Sequence, residues 1–230
     1  MKNALVILAV VLLFSSCLKE ANKPVTTIKT TQTAVTDSIS IDVDGKVYTF
    51  QTRFGGGRGN RDANRKLDSI SKDAQRHFSA DPDTVLFNTQ IYVAGNHNQM
   101  RIYFFKKFAS TDLFLNEGIN PGLTPSPKDV SQLYQPGIYG FPLDFNGLNA
   151  HNGVAIEVTT DEYLTSYDQS FAGYPTTINS NAQDKAVFKI ISIKKERGGY
   201  LIEANFTLTL FENDGTPHKV TNGYLRLLVA

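Results

Sequence analysis

The sequence predicts a mainly β protein, with a single antiparallel β-sandwich or barrel-like domain over residues 38–230 and one or two short helices. About nine or ten short apolar or alternating segments are separated by turn signals, as in all-β domains. Apolar and polar residues alternate from Tyr200 to Leu210, which is the period of a half-buried strand. No internal repeat recurs at a fixed period, which argues against propellers and solenoids.

The N-terminus has the pattern of a bacterial lipoprotein signal. Met1-Lys2 is a short basic start, Ala4–Phe14 is apolar, and Ser15-Ser16 directly precede Cys17. The apolar run is too short to cross a bilayer, because a spanning helix needs about 20 residues. Residues 1–16 are therefore predicted to be a cleaved signal peptide, with Cys17 as the lipidated first residue of the mature chain. An ordinary signal peptide with an incidental cysteine is the alternative.

Residues 17–37 are predicted to be a flexible tether between the lipid and the domain. Leu18–Asp37 contains six threonines and no aromatic residue, so it has too little apolar area to order itself. Lys19-Glu20 resembles the surface-export signal of Bacteroidota lipoproteins. We expect a lipid-anchored protein of the outer membrane, on its periplasmic or its surface face, with the membrane as one partner.

The charge balance and the cysteine count exclude several classes of partner and site. Without Lys2 the mature chain keeps 22 of the 23 basic side chains, against 22 acidic ones. A formally neutral chain is not expected to bind nucleic acid by bulk electrostatics. Cys17 is the single cysteine, so the chain forms no internal disulfide and no cysteine-based metal site. No cofactor is predicted.

The domain is expected to begin with a β-hairpin. Ile39 and Ile41 alternate with polar residues, and Asp44-Gly45 provides a two-residue type I′ turn in which glycine tolerates positive φ. This turn places Ile41 opposite Tyr48 and Ile39 opposite Phe50, on one core face.

The next segment is rich in glycine and arginine. Phe54–Arg61 lacks the Gly-Lys-Ser/Thr ending of a P-loop and the spaced glycines of a dinucleotide fingerprint. An anion or polysaccharide site is one interpretation, and a solvated loop that leads into a helix is the other. A helix over Asp62–His77 is predicted from four apolar residues at helical spacing, Leu67, Ile70, Ala74 and Phe78.

The middle of the domain combines short strands with a long irregular segment. Five of the nine prolines fall in residues 109–152, and Ser126-Pro127 is a favourable start for a short helix through Tyr134. Arg101–Phe105 is mostly apolar, which indicates a central strand buried on both faces. The other strands predicted here are 85–87, 90–94, 153–159 and 163–167, with a turn at 95–98.

The C-terminal segment predicts three consecutive strands. Val187–Lys194 is followed by the turn Gly198-Gly199 and by the alternating run from Tyr200 to Leu210. The closing strand follows a turn at residues 213–215, and Asn222-Gly223 predicts a bulge or kink within it.

Parts of the chain resemble a family of uncharacterised Bacteroidota lipoproteins with a C-terminal β domain. The resemblance rests on the Ser15-Ser16-Cys17 motif, the Thr-rich spacer, and the tail from Phe188-Lys189-Ile190 to Val220–Tyr224. It covers the leader and roughly the last 80 residues. The resemblance implies attachment to the outer membrane and implies no known activity.

Catalytic motifs are absent from the sequence. A hydrolase needs a nucleophile with a base, a pair of carboxylates or a metal site, and no Gly-x-Ser-x-Gly elbow occurs. The four histidines match no metal-ligand spacing, and His97 and His151 are interpreted as turn residues in solvent. We expect a non-enzymatic binding or accessory module of the cell envelope. An enzyme of polysaccharide metabolism with a site invisible in the sequence is the alternative.

The residues 134–152 are the predicted contact surface, for a glycan or an envelope protein. Aromatic rings would stack on sugar CH faces, and side-chain amides would bind hydroxyl groups. In the competing interpretation the same rings close one end of the domain as core. The candidate contact residues are Tyr134, Tyr139, Phe141, Phe145, Asn146, Asn149 and Asn152.

Overall fold

The computed structural model describes residues 37–62, 66–73, 76–79, 83–114, 126–145, 151–170, 177–196 and 198–229. Every described residue belongs to one compact unit, Val35–Ala230. The predicted signal peptide, Cys17 and the tether up to residue 36 lie outside the described residues.

The described residues are mainly β, as predicted. They contain two short 3-10 helices, Ser110–Asp112 and Val130–Leu133. No helix among them is long and apolar enough to cross a membrane. The strands are β1 (Ser38–Val43), β2 (Lys46–Asp62), β3 (Lys66–Ile70), β4 (Arg76–Ser79), β5 (Thr84–Gly95), β6 (Gln99–Ala109), β7 (Leu113–Phe114), β8 (Ser126–Pro127), β9 (Gly137–Tyr139), β10 (Gly153–Thr159), β11 (Tyr163–Thr165), β12 (Val187–Glu196), β13 (Gly199–Phe211) and β14 (Pro217–Val229).

Eight antiparallel strands close into a barrel, in the order β11-β10-β6-β5-β2-β1-β14-β13. The closure is a single residue pair, Thr165 with Phe211, which we call the seam. Strands β12 and β9 extend the sheet from the edge of β13, and the pairs β3–β4 and β7–β8 form two separate small sheets. The predicted fold class, a sandwich or barrel-like β domain, is confirmed in its barrel form.

The N-terminal hairpin has the predicted register. Ile39 pairs with Phe50 and Ile41 with Tyr48. Asp44 and Gly45 both have positive φ, 49° and 87°, as the type I′ turn requires. Ile39, Ile41 and Phe50 are buried in the barrel core, because period-2 alternation directs every second side chain inward.

The C-terminal strands also confirm the prediction. Phe206 is buried and its neighbour Thr207 is exposed, so β13 alternates as its sequence indicates. The β13–β14 register shifts between Phe206 and Leu208, and Asn222 has a φ of 52°. A Cβ on Gly223 would lie 2.5 Å from the Phe206 ring, so glycine at this position, beside the predicted bulge, makes room for that ring.

The segment Arg101–Phe105, predicted to be buried on both faces, is fully buried on its inner face but only partly on its outer face, where Arg101 and Tyr103 remain partly exposed. Phe104 faces the main core inside the barrel, while Phe105 belongs to a second apolar cluster on the outer face. That second cluster is formed by Leu86, Phe105, Phe145, Ala155 and Tyr167, with Tyr103 packed against it. The barrel wall therefore has a covered patch on its outside.

The helix predicted over Asp62–His77 is wrong. The chain continues along β5 as part of β2 as far as Asp62 and then forms the hairpin β3–β4, in which Leu67 pairs with Phe78. Four apolar residues at helical spacing are a weak signal, because a short isolated helix is marginal in water. The strand pairing of β2 with β5, together with that of β3 with β4, outweighs this weak tendency to form a helix.

The glycine-rich segment is also a strand rather than the predicted loop. Gly55, Gly57 and Gly59 pair with Tyr92, Gln90 and Asn88 of β5. A Cβ on Gly55 would lie 2.9 Å from the Tyr92 ring, and a Cβ on Gly57 would lie 2.8 Å from the Gln90 amide. The glycines thus leave space for large β5 side chains to lie across β2.

The helix predicted from Ser126 forms later and is shorter. Ser126 and Pro127 make the strand β8, which pairs with Leu113 and Phe114. The 3-10 helix Val130–Leu133 is capped by Asp129, whose Oδ1 accepts a hydrogen bond from the backbone N–H of Ser131 at 3.0 Å. Asp129 serves as N-cap because its carboxylate satisfies an otherwise unpaired N–H.

Candidate functional site

A row of large polar side chains crosses the outer face of the barrel. In the strand register Tyr92 of β5 pairs with Arg101 of β6, and Arg101 pairs with Glu157 of β10. Paired residues of neighbouring strands lie side by side on one face of a sheet. Three strands thus place an aromatic ring, a guanidinium group and a carboxylate in line.

Stacking holds one end of this row. The guanidinium carbon of Arg101 lies 4.5 Å from the centroid of the Tyr92 ring, within the range of a cation–π contact. The Tyr92 ring in turn stacks on Phe54, with centroids 5.7 Å apart. Gly55, paired with Tyr92, leaves the ring the space it occupies. The Tyr92 hydroxyl donates to the side-chain oxygen of Gln90 at 2.8 Å, which fixes the ring further.

At the other end, the Glu157 carboxylate is buried and held by several donors. Tyr103 and Tyr167 each donate a hydroxyl hydrogen bond to its Oε1, at 2.9 and 2.6 Å. Arg101 Nη1 lies 3.0 Å from its Oε2 and donates to the Tyr103 hydroxyl at 3.0 Å. These groups replace the water that a carboxylate loses on burial.

The tyrosines around Glu157 act as hydrogen-bond donors rather than as bases. Burial is the main cause of the raised pKa of both Tyr103 and Tyr167, and the charge of Glu157 raises both further. The pKa of Tyr163 is raised by burial first and then by the charge of the same carboxylate. All three hydroxyls therefore keep their protons at neutral pH.

A cleft of about 240 Å³ lies over this row. Phe54 and Tyr163 contribute partly exposed rings to it, while Arg101 and Glu157 provide one positive and one negative charge. The remaining polar groups are the amide of Gln99 and the hydroxyls of Thr159 and of the two tyrosines. The lining residues are Phe54, Tyr92, Gln99, Met100, Arg101, Glu157, Thr159 and Tyr163. A flat apolar group of a ligand can stack on the rings of the cleft, and the polar side chains can bind hydroxyl groups beside it.

The predicted contact rings are core residues for the most part. Tyr134 is 0% exposed, and its hydroxyl shares a 2.8 Å hydrogen bond with Thr89. Burial raises the pKa of Tyr134 to about 12. Phe141 packs edge-on against Phe188, and Phe145 packs against Phe105 in the outer cluster. The competing core interpretation is therefore correct for these three rings, since buried faces cannot stack on a ligand.

The other predicted contact residues have mixed positions. Tyr139 is half-buried, and its hydroxyl donates to the backbone oxygen of Gln135 at 2.7 Å. Asn152 is exposed, and its side-chain oxygen accepts a hydrogen bond from the backbone N–H of Lys107. Asn146 and Asn149 lie outside the described residues, so the paired amides remain a prediction.

The two turn histidines are exposed, as expected. His97 occupies the β5–β6 turn with a φ of 58°, and His151 lies 4.0 Å from Asp144. The sequence prediction missed the row around Glu157 altogether. One feature of the sequence could have indicated this row: Glu157 is the single carboxylate in the largely apolar strand Gly153–Thr159. Acidic residues are seldom fully buried without a partner, so a partner for Glu157 could have been expected.

Comparison with protein-family models, with curated proteins and with solved structures finds no match to this chain. The resemblance to Bacteroidota lipoproteins therefore remains a prediction, and the geometry of the cleft is the basis for assigning a function.

Proposed function

We propose that this protein is a lipid-anchored, non-enzymatic module of the cell envelope that binds an uncharged carbohydrate in the outer cleft of its barrel. The predicted lipidation of Cys17 supports the attachment. The stack of Phe54 on Tyr92 beside the buried Glu157 carries the binding proposal. Phe54 borders the cleft and is 54% exposed although it stacks on Tyr92, so part of its ring is available to a ligand.

Carbohydrate suits this combination of groups. The CH face of a pyranose ring is apolar and packs on an aromatic face, while its hydroxyls both donate and accept. Phe54 offers the ring, the Glu157 carboxylate accepts, and Gln99 and Thr159 can do either. The fixed side chains lower the entropy cost of binding, because the tyrosine and arginine contacts already hold them.

The ligand is proposed to be uncharged because the cleft is balanced. The single cation and the single anion among the lining residues, Arg101 and Glu157, lie 3.0 Å apart and neutralise each other. An acidic sugar would have to compete with Glu157 for the guanidinium, and a basic one would compete with Arg101 for the carboxylate. Either competition leaves a charge without its partner, which is costly.

The alternative, an enzyme of polysaccharide metabolism, has less support. Glycoside hydrolysis generally uses two carboxyl groups about 5–9.5 Å apart across the scissile bond. Glu157 is the one carboxylate among the residues that line the cleft.

Binding can be tested on an array of uncharged and acidic oligosaccharides. We expect the wild-type chain to bind uncharged oligosaccharides on the array. The Phe54→Ala variant should not bind them, because the substitution removes the ring on which the sugar stacks. Phe114→Ala is the matched control, since Phe114 is 55% exposed and Phe54 is 54% exposed. Retention of acidic members alone, or equal loss in both variants, would contradict the proposal.

The lipid anchor is tested separately. Wild-type cells fed labelled palmitate are expected to incorporate the label into this chain, and Cys17→Ser is expected to abolish incorporation and release a soluble form. The reason is that the Cys17 thiol is the acceptor of the lipid. An unlabelled wild-type chain that stays soluble would contradict the anchor without affecting the carbohydrate proposal.

A further inference from the structure

One histidine and three carboxylates from four segments of the chain meet beside the seam. His218 lies near the start of β14, and Glu212 directly follows Phe211, the seam residue of β13. Glu162 lies in the turn between β10 and β11, three residues before the other seam residue, Thr165. Asp44 comes from the β1–β2 turn. This histidine cluster is separate from the outer cleft, whose lining residues include none of these four.

The ligand atoms of three of these residues are spaced as around a small metal ion. One atom each from Glu162, Glu212 and His218 lies within 4.8 Å of the other two. His218 Nε2 is 2.9 Å from Glu212 Oε1 and 3.8 Å from Glu162 Oε2. Bonds of about 2.0–2.2 Å in a tetrahedral site place ligand atoms roughly 3.3–3.5 Å apart. Both distances differ from this by well under 1 Å, and the exposed Glu162 side chain is free to adjust.

The fourth residue, Asp44, orients the imidazole. Its Oδ2 lies 2.8 Å from His218 Nδ1, and its Oδ1 accepts a hydrogen bond from the backbone N–H of Lys219 at 2.8 Å. The Nδ1 proton then points to Asp44, and in the metal-free chain Nε2 shares a hydrogen bond of 2.9 Å with Glu212, whose proton a metal ion would replace. This carboxylate–histidine arrangement is the usual support for a metal-binding imidazole.

The cluster also carries excess negative charge. Three carboxylates, Asp44, Glu162 and Glu212, face one imidazole, so the balance is negative even when the ring is protonated. The nearby Lys46 is 3.8 Å from Asp161, another acid of the β10–β11 turn, and so does not neutralise the cluster. A bound cation would.

We infer that His218, Glu212 and Glu162 bind a divalent transition-metal ion of the zinc type, with Asp44 holding the imidazole in position. An imidazole ligand favours zinc over calcium and magnesium, which prefer sites made of oxygen alone. Three protein ligands leave one position for water. The ion would join β14, the end of β13 and the β10–β11 turn, and so reinforce a barrel closure that rests on one strand pair.

The test is thermal unfolding of the mature lipidated chain in detergent, after removal of metal with a chelator. Zn²⁺ is expected to raise the Tm, because an ion that binds the folded state alone stabilises it, and Ca²⁺ is expected not to. His218→Asn should abolish the Zn²⁺ response. His97→Asn is the control, because His97 is an exposed turn histidine whose positive φ asparagine tolerates.

A second variant keeps the test decisive if His218→Asn fails to fold. Glu162→Gln changes an exposed side chain and should leave the Tm of the metal-free chain unchanged, while weakening Zn²⁺ binding in a calorimetric titration about tenfold or more. The inference is overturned if Zn²⁺ and Ca²⁺ shift the wild-type Tm equally. It is also overturned if Glu162→Gln binds Zn²⁺ as tightly as the wild type.

Discussion

The inner and outer faces of strand β10 are buried to nearly the same extent but by different chemistry. Ile156 points into the barrel and is 1% exposed, while its neighbour Glu157 points outward and is 6% exposed. Inside, apolar side chains from all eight barrel strands contact each other and need no specific partner. Outside, a charge is buried and must be matched by Tyr103, Tyr167 and Arg101.

This difference separates what holds the barrel together from what the barrel displays. Apolar burial stabilises the fold in proportion to its area. The ion pair of the outer row contributes little net stability, because burial of the Glu157 carboxylate costs desolvation while Arg101 is 42% exposed and its charge is screened by solvent. The outer row is therefore better explained by the cleft that it supports than by stability, and substitutions on the two faces should have different consequences.

The largest expected effect is on the inner face. Phe206→Ala should lower the free energy of unfolding by about 3–5 kcal/mol, because it leaves a cavity among packed rings that include Phe188. Thr207→Ala, on the exposed face of the same strand, should change it by less than about 0.5 kcal/mol. Urea unfolding measures both. Equal small losses would contradict the assignment of the inner face as the source of stability.

A smaller loss is expected on the outer face. Glu157→Gln replaces one carboxylate oxygen by an NH₂ group that meets donors, and should cost about 1–3 kcal/mol. Glu203→Gln is the control, since that glutamate is partly exposed and its pair with Arg226 is longer, at 3.6 Å. The control should lose at most about 1 kcal/mol. A Glu157→Gln variant as stable as wild type would show that the donors around Glu157 need no anion.

Sequence reasoning recovered the parts of the fold that depend on neighbouring segments. The Asp44-Gly45 turn specifies the register of Ile39 with Phe50 locally, because a two-residue turn fixes which residues face each other. The alternation of apolar and polar residues that buries Phe206 is likewise visible in consecutive residues of the sequence. The glycine-rich strand was missed because its glycines serve Tyr92 and Gln90, which lie more than thirty positions away.

The candidate site could not be predicted for the same reason. Glu157 and Arg101 meet through the pairing of β6 with β10, which joins residues that lie far apart in the sequence. Conversely, Tyr134, Phe141 and Phe145 looked like ligand contacts because they lie in a proline-rich segment. Their burial is decided by distant partners such as Phe104, Phe188 and Phe105.

The most direct test of the central claim, that the outer row supports a ligand cleft, is hydroxyl-radical footprinting with and without the uncharged oligosaccharide best retained on the array. Tyr163 and Tyr224 are similarly exposed, at 38% and 36%, but of the two only Tyr163 lines the cleft. We predict that the oligosaccharide protects Phe54 and Tyr163 from oxidation and leaves Tyr224 and Phe114 unchanged. Unchanged oxidation of Tyr163, or equal protection of Tyr163 and Tyr224, would contradict the account.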